Sequence, residues 1–119
     1  MENCVFCKII NKELPANIIF ENEKFLAFPS KEQVSKGHTL LIPKKHFENI
    51  FDFETQSLER LMGIAQQISK ELIQTNTATG INLLHASGKD AQQSVFHFHL
   101  HIVPRYPNDG LDLWIRNNL

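Results

Sequence analysis

The sequence has almost no excess of charge of either sign. Thirteen acidic and twelve basic residues leave a net charge of −1 with neutral histidines. A chain so balanced lacks the basic tract that a nucleic-acid polymer or an anionic membrane surface would recognise, and neither is expected as a partner. Long hydrophobic runs are also missing. Nothing approaches the ~18 consecutive apolar residues of a membrane-spanning helix. The opening residues, Met1 to Cys7, have no basic segment and no apolar stretch, so no secretory signal is expected. Cysteine is scarce: Cys4 and Cys7 stand three apart, too close to close a useful structural loop, and a reducing cytoplasm is the expected location. Tyrosine and tryptophan occur once each, against nine phenylalanines, and there is no internal repeat or low-complexity segment.

What the chain does have is 42% hydrophobic residues in 119, enough for one compact domain with a core. It also has six histidines, three of them within the five residues His97 to His101.

Periodicity places the elements. Phe6 to Glu13 reads as a short helical turn, halted near Leu14-Pro15 because the residue before a proline disfavours the α region. Asn17 to Phe20 and Phe25 to Phe28 read as short strands around a polar turn, and His38 to Ile42 as a third strand closed by Pro43. The main helix follows, with Leu58, Leu61, Met62, Ala65, Ile68 and Leu72 forming one apolar stripe for core packing. Asp52 or Thr55 can cap its start. Ile81 to Leu84 reads as a strand, Ala86 to Ser94 as a polar loop and Val95 to Val103 as one long strand. The fold class is α+β, a mostly antiparallel sheet with one main helix on one face. Residues 1–119 are taken as one domain, with a core over about 4–105 and a tail over 106–119. In that tail the lone Trp114 is expected to dock on this subunit or a partner.

In a strand, side chains at i, i+2 and i+4 share a face. His97, His99 and His101 then point one way, and Phe96, Phe98, Leu100 and Ile102 point the other, toward the core. A solvated face that merely happens to be rich in histidine is a poor account of three in strict alternation. One metal bound by all three is also a poor fit: strand rise separates His97 from His101 by about 13 Å, whereas ligands on tetrahedral zinc sit about 3.3 Å apart. Division of labour fits better. A neutral imidazole is nucleophilic near pH 7, and a carbonyl on its second nitrogen can fix its tautomer. Neighbouring imidazoles can donate to phosphate oxygens or deliver a proton. The polar loop Ser87 to Ser94 offers further donors beside the same face, with Lys89 read as a solvated charge. Cys4-Val5-Phe6-Cys7 has the spacing of a zinc pair, but a redox pair or inert thiols stay open, and zinc needs two more ligands.

The run Gln93-Ser94-Val95-Phe96-His97-Phe98-His99-Leu100-His101-Ile102-Val103 resembles the signature of the histidine triad (HIT) superfamily. Gly37-His38-Thr39-Leu40-Leu41-Ile42-Pro43-Lys44-Lys45-His46 and Cys7-Lys8-Ile9-Ile10 resemble its Hint-like branch, and the likeness covers roughly residues 4 to 105. The resemblance implies that His99 is the nucleophile, attacking the α-phosphorus of a purine nucleotide to form a nucleotidyl-histidine that water hydrolyses. It implies that His101 contacts the phosphate and leaving group, that Gln93 and Ser94 bind phosphate, and that Phe6, Ile9 and Phe28 line a slot for the base. Ser30 stands where the family commonly has an aspartate for the ribose, and His85 where it commonly has an asparagine, so both are expected at the nucleotide. The resemblance further implies a structural zinc on Cys4, Cys7, His46 and His97, a homodimer through the main helix and a strand, and His38 as a hydrogen-bond partner behind the site. The implied activity is cleavage of nucleoside phosphoramidates or adenylated compounds. Hydrolysis of dinucleoside polyphosphates and non-catalytic nucleotide binding are the alternatives.

Overall fold

The structure is a computed structural model, described here over residues 3–116. Five strands form one antiparallel sheet: β1 (Phe20–Glu21), β2 (Phe25–Pro29), β3 (Thr39–Pro43), β4 (Gly80–Leu84) and β5 (Leu100–Arg105), in the order β1-β2-β3-β5-β4. Two α-helices accompany it, α1 (Val5–Ile10) and α2 (Thr55–Thr75). The expected α+β architecture is present.

Strand alternation divides the core into two faces. On one, Phe25, Ala27, Leu41, Phe98, Leu100 and Ile102 pack against Leu61, Ala65 and Ile68 of α2. On the other, Leu26, Phe28, Leu40 and Ile42 pack against Phe6 of α1. Of the α2 stripe, Leu61, Ala65 and Ile68 are buried and Leu58 and Leu72 are partly buried against them, while Met62 is substantially exposed at the stripe's margin. Neither expected cap acts at its start. Glu54 occupies the cap position without a side-chain bond, while the Asp52 carboxylate is turned back to accept the Glu48 and Asn49 N–H groups at 2.9 Å each. The short helix α1 ends at Asn11, before the proline, because Glu13 and Leu14 fold back to donate to the Lys8 carbonyl.

Two expected strands need correction. The one over Asn17 to Phe20 is instead the two-residue β1 at Phe20–Glu21. The long strand over Val95 to Val103 is shorter at its start and longer at its end. The β3 ladder stops at the Leu41–Leu100 pair and the β4 ladder at Leu84–His101, so residues 95–99 have no strand neighbour. The Phe98 N–H donates instead to the Phe47 carbonyl at 2.7 Å, and Phe96, lying in this unpaired stretch, is exposed rather than in the core. Pro104 falls inside β5. In the tail, Trp114 is 72% exposed and does not dock on its own chain. Polar bonds fasten this segment instead: Arg105 grips the Asp109 carboxylate through Nε and Nη2 at 2.8 and 2.9 Å and donates to the Leu111 carbonyl. No helix among the described residues is long and apolar enough to cross a membrane.

Candidate active site and metal centre

The histidine run leaves the sheet where its ladder ends, and its three imidazoles have separate surroundings. His97 is wholly buried. Its Nε2–H donates to the Pro43 carbonyl at 2.8 Å, so Nδ1 carries the lone pair. That Nδ1 lies 3.2 Å from Cys4 Sγ and 3.5 Å from Cys7 Sγ, and Cys7 Sγ lies 3.3 Å from His46 Nδ1. The four donor atoms of Cys4, Cys7, His46 and His97 all fall within 4.8 Å of one another. Tetrahedral zinc with Zn–S of about 2.3 Å and Zn–N of about 2.0–2.1 Å needs donors at about this spacing. The donor set and the carbonyl on the far nitrogen of His97 both suit zinc. Four protein ligands close the shell, so the site is structural in type. Burial, reinforced by the Cys4 sulfur, pushes the Cys7 thiol up to about 11, and burial pushes His97 down to about 4. Neutral imidazole is what a metal binds, and a dication lowers a thiol that its neighbours alone would raise. The four residues therefore form a metal site fit for zinc.

His99 is buried and sits edge-on to Phe6, with ring centroids 5.2 Å apart. Its Nδ1–H donates to the carbonyl of His97 at 2.9 Å, leaving Nε2 with a free lone pair. Burial lowers its pKa, which favours the neutral, nucleophilic ring. His101 lies on β5 beside Leu40. The Val34 N–H approaches His38 Nδ1 at 3.3 Å, and His38 Nε2 meets His101 Nδ1 at 2.9 Å, so the two rings share one proton across that contact. Burial, then the neighbouring histidines, depress His101 to about 4, and burial also lowers His38.

Around this line the other expected residues fall into groups. Phe6 and Phe28 meet edge-on at 5.7 Å, with Ile9 packed against the same cluster, and Phe6 links it to the His99 ring. Ser30 lies at the end of this region, with its hydroxyl donating to the Glu32 carbonyl. Gln93 is buried, and every polar atom of its amide meets backbone: Oε1 accepts the Gly88 N–H at 2.7 Å, and Nε2 donates to the carbonyls of Glu48 and Val95. Its preceding residue, Gln92, takes the left-handed conformation (φ 72°) that turns the chain into it. Ser94 is exposed and lines a groove of about 520 Å³ beside the metal cluster, together with Cys4, His46 and Phe96. His85, His38, His101, Val34 and Leu113 border a second hollow of about 280 Å³.

Sequence reasoning missed the loop from Phe47 to Asp52 as part of the site. It is tied to the histidine region through the Gln93–Glu48 bond and through the Ile50 N–H, which donates to Ser87 Oγ at 2.9 Å. Nothing in the spacing of Glu48 or Ile50 marks them, because their backbone groups make the contacts.

Comparison with known proteins agrees with this geometry. A family model described as HIT domain matches residues 11–108. The chain is 41% identical, over all of its length and 87% of the relative's, to an uncharacterized HIT-like protein of Borreliella burgdorferi. It is 43% identical to Protein hit of Bacillus subtilis, over 88% of this chain and 72% of that one. Among solved structures, a HIT family protein from Bacillus anthracis superposes with a TM-score of 0.91 at 39% identity, covering 98% of this chain and 84% of that one. A Zn-bound histidine triad family protein from Mycobacterium smegmatis superposes with a TM-score of 0.90 at 36% identity, over 94% and 81%. With a family model over residues 11–108, relatives above 40% identity and the same fold, the chain belongs to the HIT family.

Proposed function

We propose that the protein binds a purine nucleotide and cleaves the bond between its α-phosphorus and a nitrogen or acyl leaving group through a covalent intermediate on His99. The observation that carries this reading is the tautomer lock: His99 donates Nδ1–H to its own chain and keeps Nε2 for phosphorus. A purely binding site has no need of a buried nucleophile so prepared.

In this mechanism the base enters the slot of Phe6, Ile9 and Phe28, with Ser30 toward the ribose. Ser94 offers a hydroxyl to the phosphate, and Gln93 acts by holding the loop from Gly88 to Ser94 in shape. The His99 Nε2 lone pair forms a bond to phosphorus as the bond from phosphorus to the leaving group breaks. In the free protein His101 is neutral. An anionic phosphate brought against its Nε2 favours the protonated ring, and that proton passes to the leaving nitrogen. Water then attacks phosphorus, the phosphorus–Nε2 bond breaks, and His101 takes the proton from water. Substrate and water are thus converted to a nucleoside monophosphate and the free amine or acid. Zinc takes no part in these steps; when bound it fastens α1 and His97 next to His99.

A cytoplasmic location belongs to the same reading, since thiolates that hold zinc are best preserved where the medium is reducing. So does a homodimer through α2 and the edge strand β4, where Met62, Ile73 and Leu83 stand exposed. Residues 1–119 acting as one domain is part of it as well.

The test is turnover of adenosine 5′-phosphoramidate by wild type and His99→Ala. The expected result is a loss of at least ~10⁴-fold in the variant. Equal rates in the two proteins overturn the assignment.

A further inference from the structure

The residue that carries the nucleophile lies at the unpaired end of β5, one position beyond the last strand pairings. Its carbonyl therefore has no ladder donor. That carbonyl is nevertheless satisfied, because His85 Nδ1–H donates to it at 3.0 Å. His85 Nε2 in turn takes the Ser87 hydroxyl proton, and Ser87 Oγ accepts the Ile50 N–H. A carbonyl can only accept, and the Ser87 oxygen already receives one proton from Ile50. Every proton in this chain is therefore assigned in one direction, from Ile50 to the His99 carbonyl. The His85 ring is also stacked flat on Phe98, with centroids 4.2 Å apart and planes 23° apart, and Phe98 meets Phe53 edge-on.

From this geometry we infer that His85 is a positioning residue for the nucleophile: its imidazole replaces the missing strand neighbour and fixes the peptide that follows His99. The inference rests on the proposed role of His99. It also departs from the expectation that His85 contacts the nucleotide, because both ring nitrogens are engaged within the protein and a ligand would have to displace one. The arrangement holds the nucleophile from two sides. The His99 ring is held by the His97 carbonyl, and the His99 carbonyl is held by the His85 ring. A rotation of that peptide would swing Nε2 away from its line of attack.

Two substitutions separate positioning from substrate contact. Asparagine places its amide Nδ2 at the same bond position as His Nδ1 and keeps the donor, whereas leucine keeps apolar area against Phe98 and removes it. With adenosine 5′-phosphoramidate as substrate, His85→Leu is expected to lower kcat roughly 10- to 100-fold, the scale of a reacting group displaced by about 1 Å. KM should stay within about twofold, and His85→Asn should recover kcat to within about threefold of wild type. A raised KM at unchanged kcat in His85→Leu, or equal impairment of the two variants, overturns the inference.

Nitrogen-15 NMR of histidine-labelled, zinc-loaded protein gives a readout that needs no turnover. It should show His85 protonated on Nδ1, with His99 ring signals displaced in His85→Leu and restored in His85→Asn. A His85 proton on Nε2, or His99 signals that do not move in His85→Leu, contradicts the inference. If the wild type cleaves nothing, the proposed reaction fails, and the NMR result alone decides the role of His85.

Discussion

The two faces of the sheet are covered by very different means. On one, the 21 residues of α2 bring Leu61, Ala65 and Ile68 onto a continuous apolar surface. A helix of that length with a buried stripe holds itself in place by packing. On the other, α1 has six residues and one buried side chain, Phe6. Isolated helices below about 12–15 residues are marginal in water, so this cover needs another fastening. The Cys4, Cys7, His46 and His97 cluster supplies it by joining the first turn of α1 to β3's exit loop and to the histidine run. The face that packs well is plain core. The face that packs poorly carries the chemistry and is held by polar and metal contacts at defined distances.

The contrast is breakable from either side. Leu61→Ala empties fully buried volume on the α2 face and should cost about 2–5 kcal/mol of stability. Zinc content and kcat, measured well below the transition, should not change. If zinc is lost together with stability, the two faces are not separable. Cys4→Ser attacks the other side. It should abolish stoichiometric zinc on metal analysis and lower kcat about tenfold by loosening His97, two residues from the nucleophile. Full zinc occupancy in this variant would mean that the cluster is not the metal's site.

The smallest effect is on pH dependence, and its sign follows from burial. His101 has its pKa moved from 6.5 to about 4 in the folded chain. Between those values the unfolded chain binds the proton and the folded chain does not, so stability falls as pH is lowered through that window and levels off below it. Thermal unfolding across pH 4 to 7 should show this decline, and the slope should be shallower in His101→Gln. An unchanged slope would mean that His101 is not held neutral by its surroundings.

The fold was legible wherever periodicity reports burial. The stripe of α2, the alternation of the strands and the polar loop before the histidines all carry their answer in local spacing. The alternation also put the three imidazoles on one side correctly, although two of them lie outside the strand. What spacing could not show was where pairing ends. That depends on how far β3 and β4 extend beside β5, a long-range property. The start of β5, the exposure of Phe96 and the partner of the His99 carbonyl were hidden for this one reason. The caps of α2 were misread because Asp52 had a nearer pair of N–H groups to satisfy. Docking of Trp114 on its own chain does not occur, because the tail is anchored by Arg105 and Asp109 rather than by apolar area.

The central claim is that one short run of histidines serves two sites at once, with His97 for metal and His99 for phosphorus. Native mass spectrometry of the protein, quenched at neutral pH during turnover of adenosine 5′-phosphoramidate, reads both on the same molecule. The account predicts a single species carrying one zinc and one adenylyl group, with fragmentation placing the adenylyl group on His99. Adenylyl on His97, or adenylylated protein found only without zinc, would contradict it.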